Sequence, residues 1–353
     1  MKLTRLKQVC GASMIITAIT ALGIISGCSK ENLPSGLTEQ TPAANAADSG
    51  TIAADLRKTQ LSDEQTSYPL TLPMDGTDVT IPNRPVRIAA LSLDAAEAVL
   101  ELADPARVAV LTRSAADSDL AFNAGKVSGD IVQIAGATSL DPEKIMSYNS
   151  DLLIMTKGHE KEKEASQMLE QAGIPLISLD VWDTFAKMEA NYRILGQALD
   201  EENSAEQIIH EINHKLESVR QAVAGKSQPT VLVISPVGPG TGPFLIGSSN
   251  ISYEIVKQAG GNHLADALSL TRATKATMET IIKADPEYII LLQWKQGDDA
   301  DLQELTEAAG WSALTAVQND QVHTLTVKQM LYPNRYNADT VSELARLFHP
   351  NAF

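Results

Sequence analysis

Asp141-Pro142-Glu143-Lys144-Ile145 is followed by Asp151-Leu152-Leu153-Ile154, and the pattern returns later as Thr277-Met278-Glu279-Thr280-Ile281 followed by Glu287-Tyr288-Ile289-Ile290. In both copies a Glu is followed by Ile at +2, an acid at +8 and Ile at +11. Asp141 and Thr277 each stand two residues before their Glu, where an N-cap side chain accepts from a first-turn N–H. Pro142 suits the first helical position, because the N–H it lacks would have no intrahelical partner there. Each copy therefore reads as a short helix leading into a strand, with its Glu in the first turn. The helix dipole alone explains one such Glu. Two at matched positions in duplicated halves imply a paired use, as anchor points on one face.

Working outward, each copy sits in a run of alternating strands and helices. Tyr68 to Ile81 reads as a β-hairpin turning at Asp75-Gly76. Short apolar runs at 86–91, 107–111, 151–155 and 175–179 suit buried parallel strands, with helices expected over 94–103, 141–148 and 160–172. From Thr184 the pattern changes: Phe185, Met188, Tyr192, Leu195 and Leu199 form one helical stripe, and Ala205, Ile209, Ile212, Leu216, Val219 and Val223 form another. The second helix spans about 30 Å, enough to cross a small domain. Strands at 230–234, 287–292 and 321–326 then alternate with helices at 251–259, 277–283, 301–309 and 337–348. This is an α/β chain of two halves with parallel-rich sheets, separated by one long helix.

The chain has 353 residues, 44% hydrophobic and 4% aromatic, and a formal charge of −16. Such a surface repels phosphate backbones and excludes nucleic acid as a partner class. Lys2, Arg5 and Lys7 precede an uncharged, mostly apolar stretch from Val9 to Gly27 that ends in Ile25-Ser26-Gly27-Cys28. That arrangement reads as a signal peptide, and its end resembles the lipobox of bacterial lipoproteins, which implies lipid on Cys28. Residues 28–67 hold no aromatic residue, are poor in bulky apolar groups and read as a flexible tether. The expected organisation is a leader over 1–27, the tether over 28–67, an N-terminal lobe over 68–203, a spine helix over 204–225 and a C-terminal lobe over 226–353. With Cys10 in the leader and Cys28 lipidated, neither of the two cysteines remains for a disulfide, a metal or catalysis.

The lipobox, the opening Pro85-Val86-Arg87-Ile88-Ala89-Ala90-Leu91, the long helix, Gly260-Gly261-Asn262 and the two Glu-helix-strand units together resemble the helical-backbone solute-binding proteins of ABC importers for iron-siderophores, haem and cobalamin. The resemblance covers residue 68 to the C-terminus. It implies two Rossmann-like lobes with a ligand cleft between them, a monomer held at the outer face of the cytoplasmic membrane or in the periplasm, no cofactor and no enzymatic activity. It also implies that Glu143 and Glu279 dock onto Arg residues of the permease. Cobalamin binders of the family place Trp at two cleft positions that here hold Ala137 and Thr156, and haem binders offer an axial Tyr or His, for which Tyr332 and His159 are the candidates. A ferric siderophore is therefore the preferred ligand, with cobalamin and haem as alternatives.

Ligands of open α/β sheets bind beyond the carboxyl ends of strands. That rule selects Arg113, Lys157, His159 and Trp182 in the first half, and Trp294, Lys295, Lys328, Tyr332 and Arg335 in the second, with Arg272 in the loop before the Glu279 helix. Cations beside aromatic faces suit an anionic ferric chelate. A different class competes: His210-Glu211-Ile212-Asn213-His214 fits H-E-x-x-H, a zinc-protease signature. Its usual third ligands are missing, since Glu217 and Arg220 stand where one such class needs Gly and His, and Glu254 is only a loose candidate for another. The reading is therefore two solvated histidines on the spine helix, with the protease as the alternative.

Overall fold

The computed structural model describes residues 67–353 other than 75–76, 136–139, 158–166, 172, 239, 296 and 298–299. The leader, Cys28, nearly all of the tether, the hairpin turn, Ala137, His159 and most of the helix expected over 160–172 lie outside the described residues. Residues 167–171 are helical, at the end of that span.

Strands β1 (Leu70–Leu72) and β2 (Val79–Ile81) form the expected antiparallel hairpin, which turns Leu72 and Ile81 into the core. The first sheet contains β3 (Ile88–Ala90), β4 (Val108–Thr112), β5 (Val132–Ile134), β6 (Leu152–Thr156) and β7 (Leu176–Leu179). Its order is β5-β4-β3-β6-β7 and every pairing is parallel. The chain reverses direction across the sheet between β3 and β6, which makes their carboxyl ends the topological switch point. Strand β5 was not legible as a strand, because Val132-Gln133-Ile134 is only three residues long.

Two antiparallel helices follow. Helix Phe185–Leu199 ends at Asp200, in the left-handed conformation with φ 61°, and the spine helix Glu202–Val223 starts two residues later. The buried Arg107 holds this junction, donating to the Leu199 carbonyl at 2.7 Å, to the Pro85 carbonyl at 2.9 Å and to Glu201 at 3.0 Å. The spine helix buries Ala205, Ile208, Ile209, Ile212 and Val219, close to the stripe read from the sequence. It packs on helix Phe185–Leu199 of the first lobe and on the C-terminal helix Asn337–Phe348 of the second.

The second sheet combines β8 (Thr230–Pro236), β9 (Pro243–Leu245), β10 (Asn262–His263), β11 (Thr274–Lys275), β12 (Tyr288–Gln293) and β13 (Val322–Thr326). Strands β10, β12 and β13 run parallel to the β8 direction, whereas β9 is antiparallel to β8 and β11 to β9. The short β9, β10 and β11 lie in Gly- and Thr-rich stretches with no apolar alternation to announce them. Gly260, at φ +81°, ends helix Ile251–Gln258, and a Cβ on it would stand 2.6 Å from His349 Nε2. This close approach accounts for the glycine in Gly260-Gly261-Asn262. One apolar cluster runs unbroken from Leu72 through both central helices to Phe348, so the two lobes share a core.

Candidate functional site

Register fixes what stands at the carboxyl edge of the first sheet. Ala90 lies between Leu111 and Ile154, so the residues just beyond them, Ser92, Thr112 and Thr156, line the edge together. The Ser92 hydroxyl donates to the Asp94 carboxylate and accepts from Thr156 N–H at 3.2 Å. Trp182 Nε1 donates to Thr156 Oγ1 at 3.0 Å. Burial pushes the Asp94 carboxyl above its usual range, against the hydrogen bonds from Ser92 and the Ala95 N–H. Thr112 Oγ1 is buried with no hydrogen-bond partner among the described residues. Ser92, Asp94 and Thr112 were missed by the sequence reading, although Ser92-Leu93-Asp94 directly follows an expected strand.

At the second edge, Trp294 follows β12 and donates from Nε1 to the Pro236 carbonyl at the end of β8, at 2.9 Å. Its ring meets Tyr332 edge-on with centroids 6.1 Å apart. Burial pushes the Tyr332 hydroxyl up to about 12. Arg272 and Lys295 are exposed. The Arg272 loop is pinned by Gly247, where a Cβ would lie 2.5 Å from the Thr271 carbonyl carbon and 2.7 Å from Arg272 N. That approach lets Ser248 and Ser249 N–H groups donate to the Leu270 and Thr271 carbonyls, each at 2.9 Å.

The two edges face one another, because loops just beyond them touch. Lys328, past the end of β13, donates from Nζ to the Ser118 carbonyl at 2.7 Å and lies over the Phe122 ring at 5.0 Å. Phe122 in turn stacks on Tyr336 with ring centroids 4.6 Å apart. Beneath this contact Glu97 accepts from Phe122 N and Asn123 N at 2.9 and 3.0 Å. Glu101 accepts from Asn123 Nδ2 at 3.1 Å and from the Tyr192 hydroxyl at 2.7 Å.

These contacts show how several of the expected ligand residues are placed. Arg335 is ion-paired to Glu211 on the spine helix, so its charge is already neutralised. Lys328 is likewise spent on the bridge between lobes. Trp182, expected as an aromatic face of the cleft, is 2% exposed and covered by an edge contact with Tyr192. It belongs to the core, packed against Tyr192 of helix Phe185–Leu199. Arg113 is exposed and lines a cavity of about 210 Å³ with Gln133, Leu140, Asp141, Lys144 and Ile145. It therefore neighbours the Glu143 helix. Lys157 continues β6 and donates its N–H to the Leu179 carbonyl at 2.8 Å.

The paired glutamates sit in matched settings. Helix Pro142–Met146 is capped by Asp141, which accepts from Lys144 N at 3.2 Å, and helix Met278–Ala284 by Thr277, which accepts from Thr280 N at 3.3 Å. Ile145 and Ile281, two residues beyond each Glu, are buried at 1% and 0% exposure. They anchor the helices and leave Glu143 and Glu279 in solvent.

Residues 88–328 match the family model described as periplasmic binding protein, which is more than half of the chain. The chain belongs to the periplasmic binding protein family. It is 20% identical over 304 residues to the ABC transporter substrate-binding lipoprotein YvrC of Bacillus subtilis (strain 168), covering 85% of this chain and 92% of that one. Its fold is similar to the periplasmic heme-binding protein RhuT of Roseiflexus sp. RS-1, with a TM-score of 0.64, 19% identity, and 76% and 99% of the two chains covered. It is also similar to an ABC-type Fe3+-hydroxamate transport protein of Saccharomonospora viridis, with a TM-score of 0.62, 21% identity, and 80% and 99% covered.

A periplasmic binding protein carries a solute and is not an enzyme, which accounts for the H-E-x-x-H geometry. His210 and His214 are exposed with ring centroids 6.4 Å apart, while Glu211 turns away to hold Arg335. The general base that a zinc protease needs is thus committed to a structural ion pair of the binding protein. Among the described residues no helix is long and apolar enough to cross a membrane.

Proposed function

We propose that this chain is an extracytoplasmic, lipid-anchored binding protein that captures a ferric-siderophore-type chelate between its lobes and delivers it to an ABC importer. The observation that carries this reading is the set of side chains at the two facing carboxyl edges: Arg113 and Lys157 on one, Arg272, Lys295, Trp294 and Tyr332 on the other. In a chain of charge −16, cations gathered beside aromatic faces favour an anionic chelate. The unpartnered Thr112 hydroxyl offers a further hydrogen-bonding position at the same edge.

Anchoring through Cys28 is supported by Ile25-Ser26-Gly27-Cys28 and by the lipoprotein name of the Bacillus subtilis relative. Docking through Glu143 and Glu279 to permease arginines is supported by their exposure, one per lobe, on helices pinned by a buried Ile. The test is fluorescence titration with hydroxamate, catecholate and citrate-type ferric siderophores beside haemin and cyanocobalamin, corrected for absorbance. One siderophore class saturates below about 1 μM, or roughly 8 kcal/mol of binding free energy. Tight binding of cyanocobalamin or haemin with no siderophore response overturns the ligand and keeps the family.

A further inference from the structure

We propose that His210 and His214 form a two-imidazole clip for a first-row divalent transition cation on the outer face of the spine helix. The inference does not rest on the nature of the cleft ligand. The two residues are one helical turn apart, so their side chains stand side by side. Both are exposed, and their rings lie 26° from parallel with centroids 6.4 Å apart. With metal–nitrogen bonds of about 2.0–2.1 Å and a tetrahedral or square angle between them, two rings on one ion have centroids about 4.5 to 5.5 Å apart. The observed pair is about 1–2 Å wider, a gap that rotation about the side-chain torsions of two exposed residues closes.

Each of the other described histidines has one ring nitrogen in a hydrogen bond. His263 Nδ1 accepts from Ala265 N at 3.1 Å, His323 Nε2 meets Gln321 Oε1 at 3.3 Å and His349 Nε2 donates to the Gly260 carbonyl at 3.2 Å. Among the described residues, neither His210 nor His214 has a hydrogen-bond or ion-pair partner. Their lone pairs are available without breaking any contact of the fold.

The surroundings favour a cation and limit how it is held. Glu206 lies one turn before His210 and Glu217 three residues after His214, on the same side of the helix. Glu206 is paired with Arg193 at 2.9 Å and Glu217 with Arg220, so these carboxylates shape the local field and do not ligate. No group of three His, Cys, Asp or Glu among the described residues is placed to hold a metal. Water therefore completes the coordination shell. Glu211 points about 100° around the helix from His210 and holds Arg335, so no carboxylate stands over the ion as a base. The clip binds without hydrolytic chemistry. Imidazole ligands place Cu2+ first and Ni2+ and Zn2+ behind it.

The probe is CuCl2 titrated into the full-length chain in a weakly coordinating buffer near neutral pH, followed by calorimetry and electron paramagnetic resonance. One equivalent binds with micromolar affinity, and the spectrum shows two equivalent nitrogens. Two-point attachment gains about a hundredfold or more over one-point attachment, so His210→Ala and His214→Ala each lose that factor. The double variant loses the site, whereas His323→Ala binds as the parent does. Acidification weakens binding, because protons compete for the same lone pairs. Circular dichroism of the variants stays that of the parent, since both side chains face solvent. The proposal is overturned if the double variant still takes up one equivalent at parental affinity, or if the parent shows no saturable uptake up to about 1 mM.

Discussion

Asp151 and Glu287 make the same connection in the two lobes, each tying the start of one parallel strand to the start of its neighbour. Asp151, before β6, accepts from Val86 N at 2.8 Å and Arg87 N at 2.9 Å on the way into β3. Glu287, before β12, accepts from Thr230 N at 2.7 Å and Thr230 Oγ1 at 3.1 Å at the start of β8. The acid at +8 of the repeat is thus a register pin. Asp151→Ala and Glu287→Ala should each cost about 1–2 kcal/mol in urea unfolding, the worth of charge-assisted bonds to backbone donors. Losses under a few tenths of a kcal/mol would remove the structural role.

Two buried groups shape the pH dependence in opposite directions. Burial first, countered by Tyr192 and Asn123, raises Glu101 from 4.5 to about 7. The folded chain binds more protons there than the unfolded one, so this contribution is complete below about 4.5 and is lost as pH climbs through 7. Burial lowers His263 from 6.5 to about 4. The unfolded chain binds more protons there, so that contribution grows from pH 4 and is complete above 6.5. Each has a slope of up to about 1.4 kcal/mol per pH unit, and they offset between roughly pH 5 and 6.5. In Glu101→Gln, stability should rise with pH across this window, and in His263→Asn it should fall. Parallel profiles for both variants and the parent would refute the assignment.

Beyond the shared core, one loop of the first lobe carries a contact between the two facing edges. Lys328→Ala removes the bond to the Ser118 carbonyl and the cation over Phe122, and Phe122→Ala removes the stack on Tyr336. Losses of about 1 and 1–2 kcal/mol are expected, and less than their sum in the double variant, because both act on one contact. Hydrogen exchange should accelerate at 117–123 and stay slow in β12. Unchanged exchange at 117–123 would mean that the bridge does not order the loop.

Most of the scaffold was legible because apolar runs such as Leu152–Thr156 have the length of a buried strand, and stripes such as Phe185 to Leu199 have a helical period. The glutamate helices were legible because a cap, a first-turn acid and a buried Ile occur in order. Strands β5, β9, β10 and β11 were not legible: they are two or three residues long, and partners distant in sequence define them. The carboxyl edges of the sheets were legible as places, but the arrangement of their side chains was not. Nothing in the sequence near Arg335 says that Glu211, 124 residues away, neutralises it. Nor does Trp182 reveal that Tyr192 covers its ring. A rule based on strand ends locates a loop, but long-range packing decides which of its side chains remain available.

The tryptophans give a direct test of that distinction. Trp182 is 2% exposed and bonded to Thr156, whereas Trp294 is half-buried at the second edge. Acrylamide should quench Trp294 far more than Trp182 in variants in which Trp311 is replaced by Phe and only one of the two is retained. Trp182→Phe should cost about 1–2 kcal/mol through the lost bond and poorer packing. Trp294→Phe should remove most of the ligand-dependent fluorescence change. A ligand response that survives Trp294→Phe and vanishes with Trp182→Phe would place the ligand against the first lobe's core.

Glu143 and Glu279 should behave unlike the pinning acids eight residues on. Among the described residues neither accepts a hydrogen bond in its own helix start, since Asp141 and Thr277 do the capping. Glu143→Ala and Glu279→Ala should therefore change stability by less than about 0.5 kcal/mol, as exposed substitutions do. Ligand affinity should hold for Glu279→Ala. It should hold for Glu143→Ala as well, although Arg113 shares a cavity with that helix, because the cavity is lined by Asp141 and Lys144 and not by Glu143. Uptake in cells should fall for each single variant and further for the double one, since a carboxylate–arginine pair is charge-assisted and often bidentate. Charge is the tested variable, so Glu→Gln should fail nearly as badly as Glu→Ala, while Glu→Asp should keep part of the uptake. Normal transport by both alanine variants, or a collapse of ligand affinity in either, would show that these two glutamates do not dock the protein to its permease.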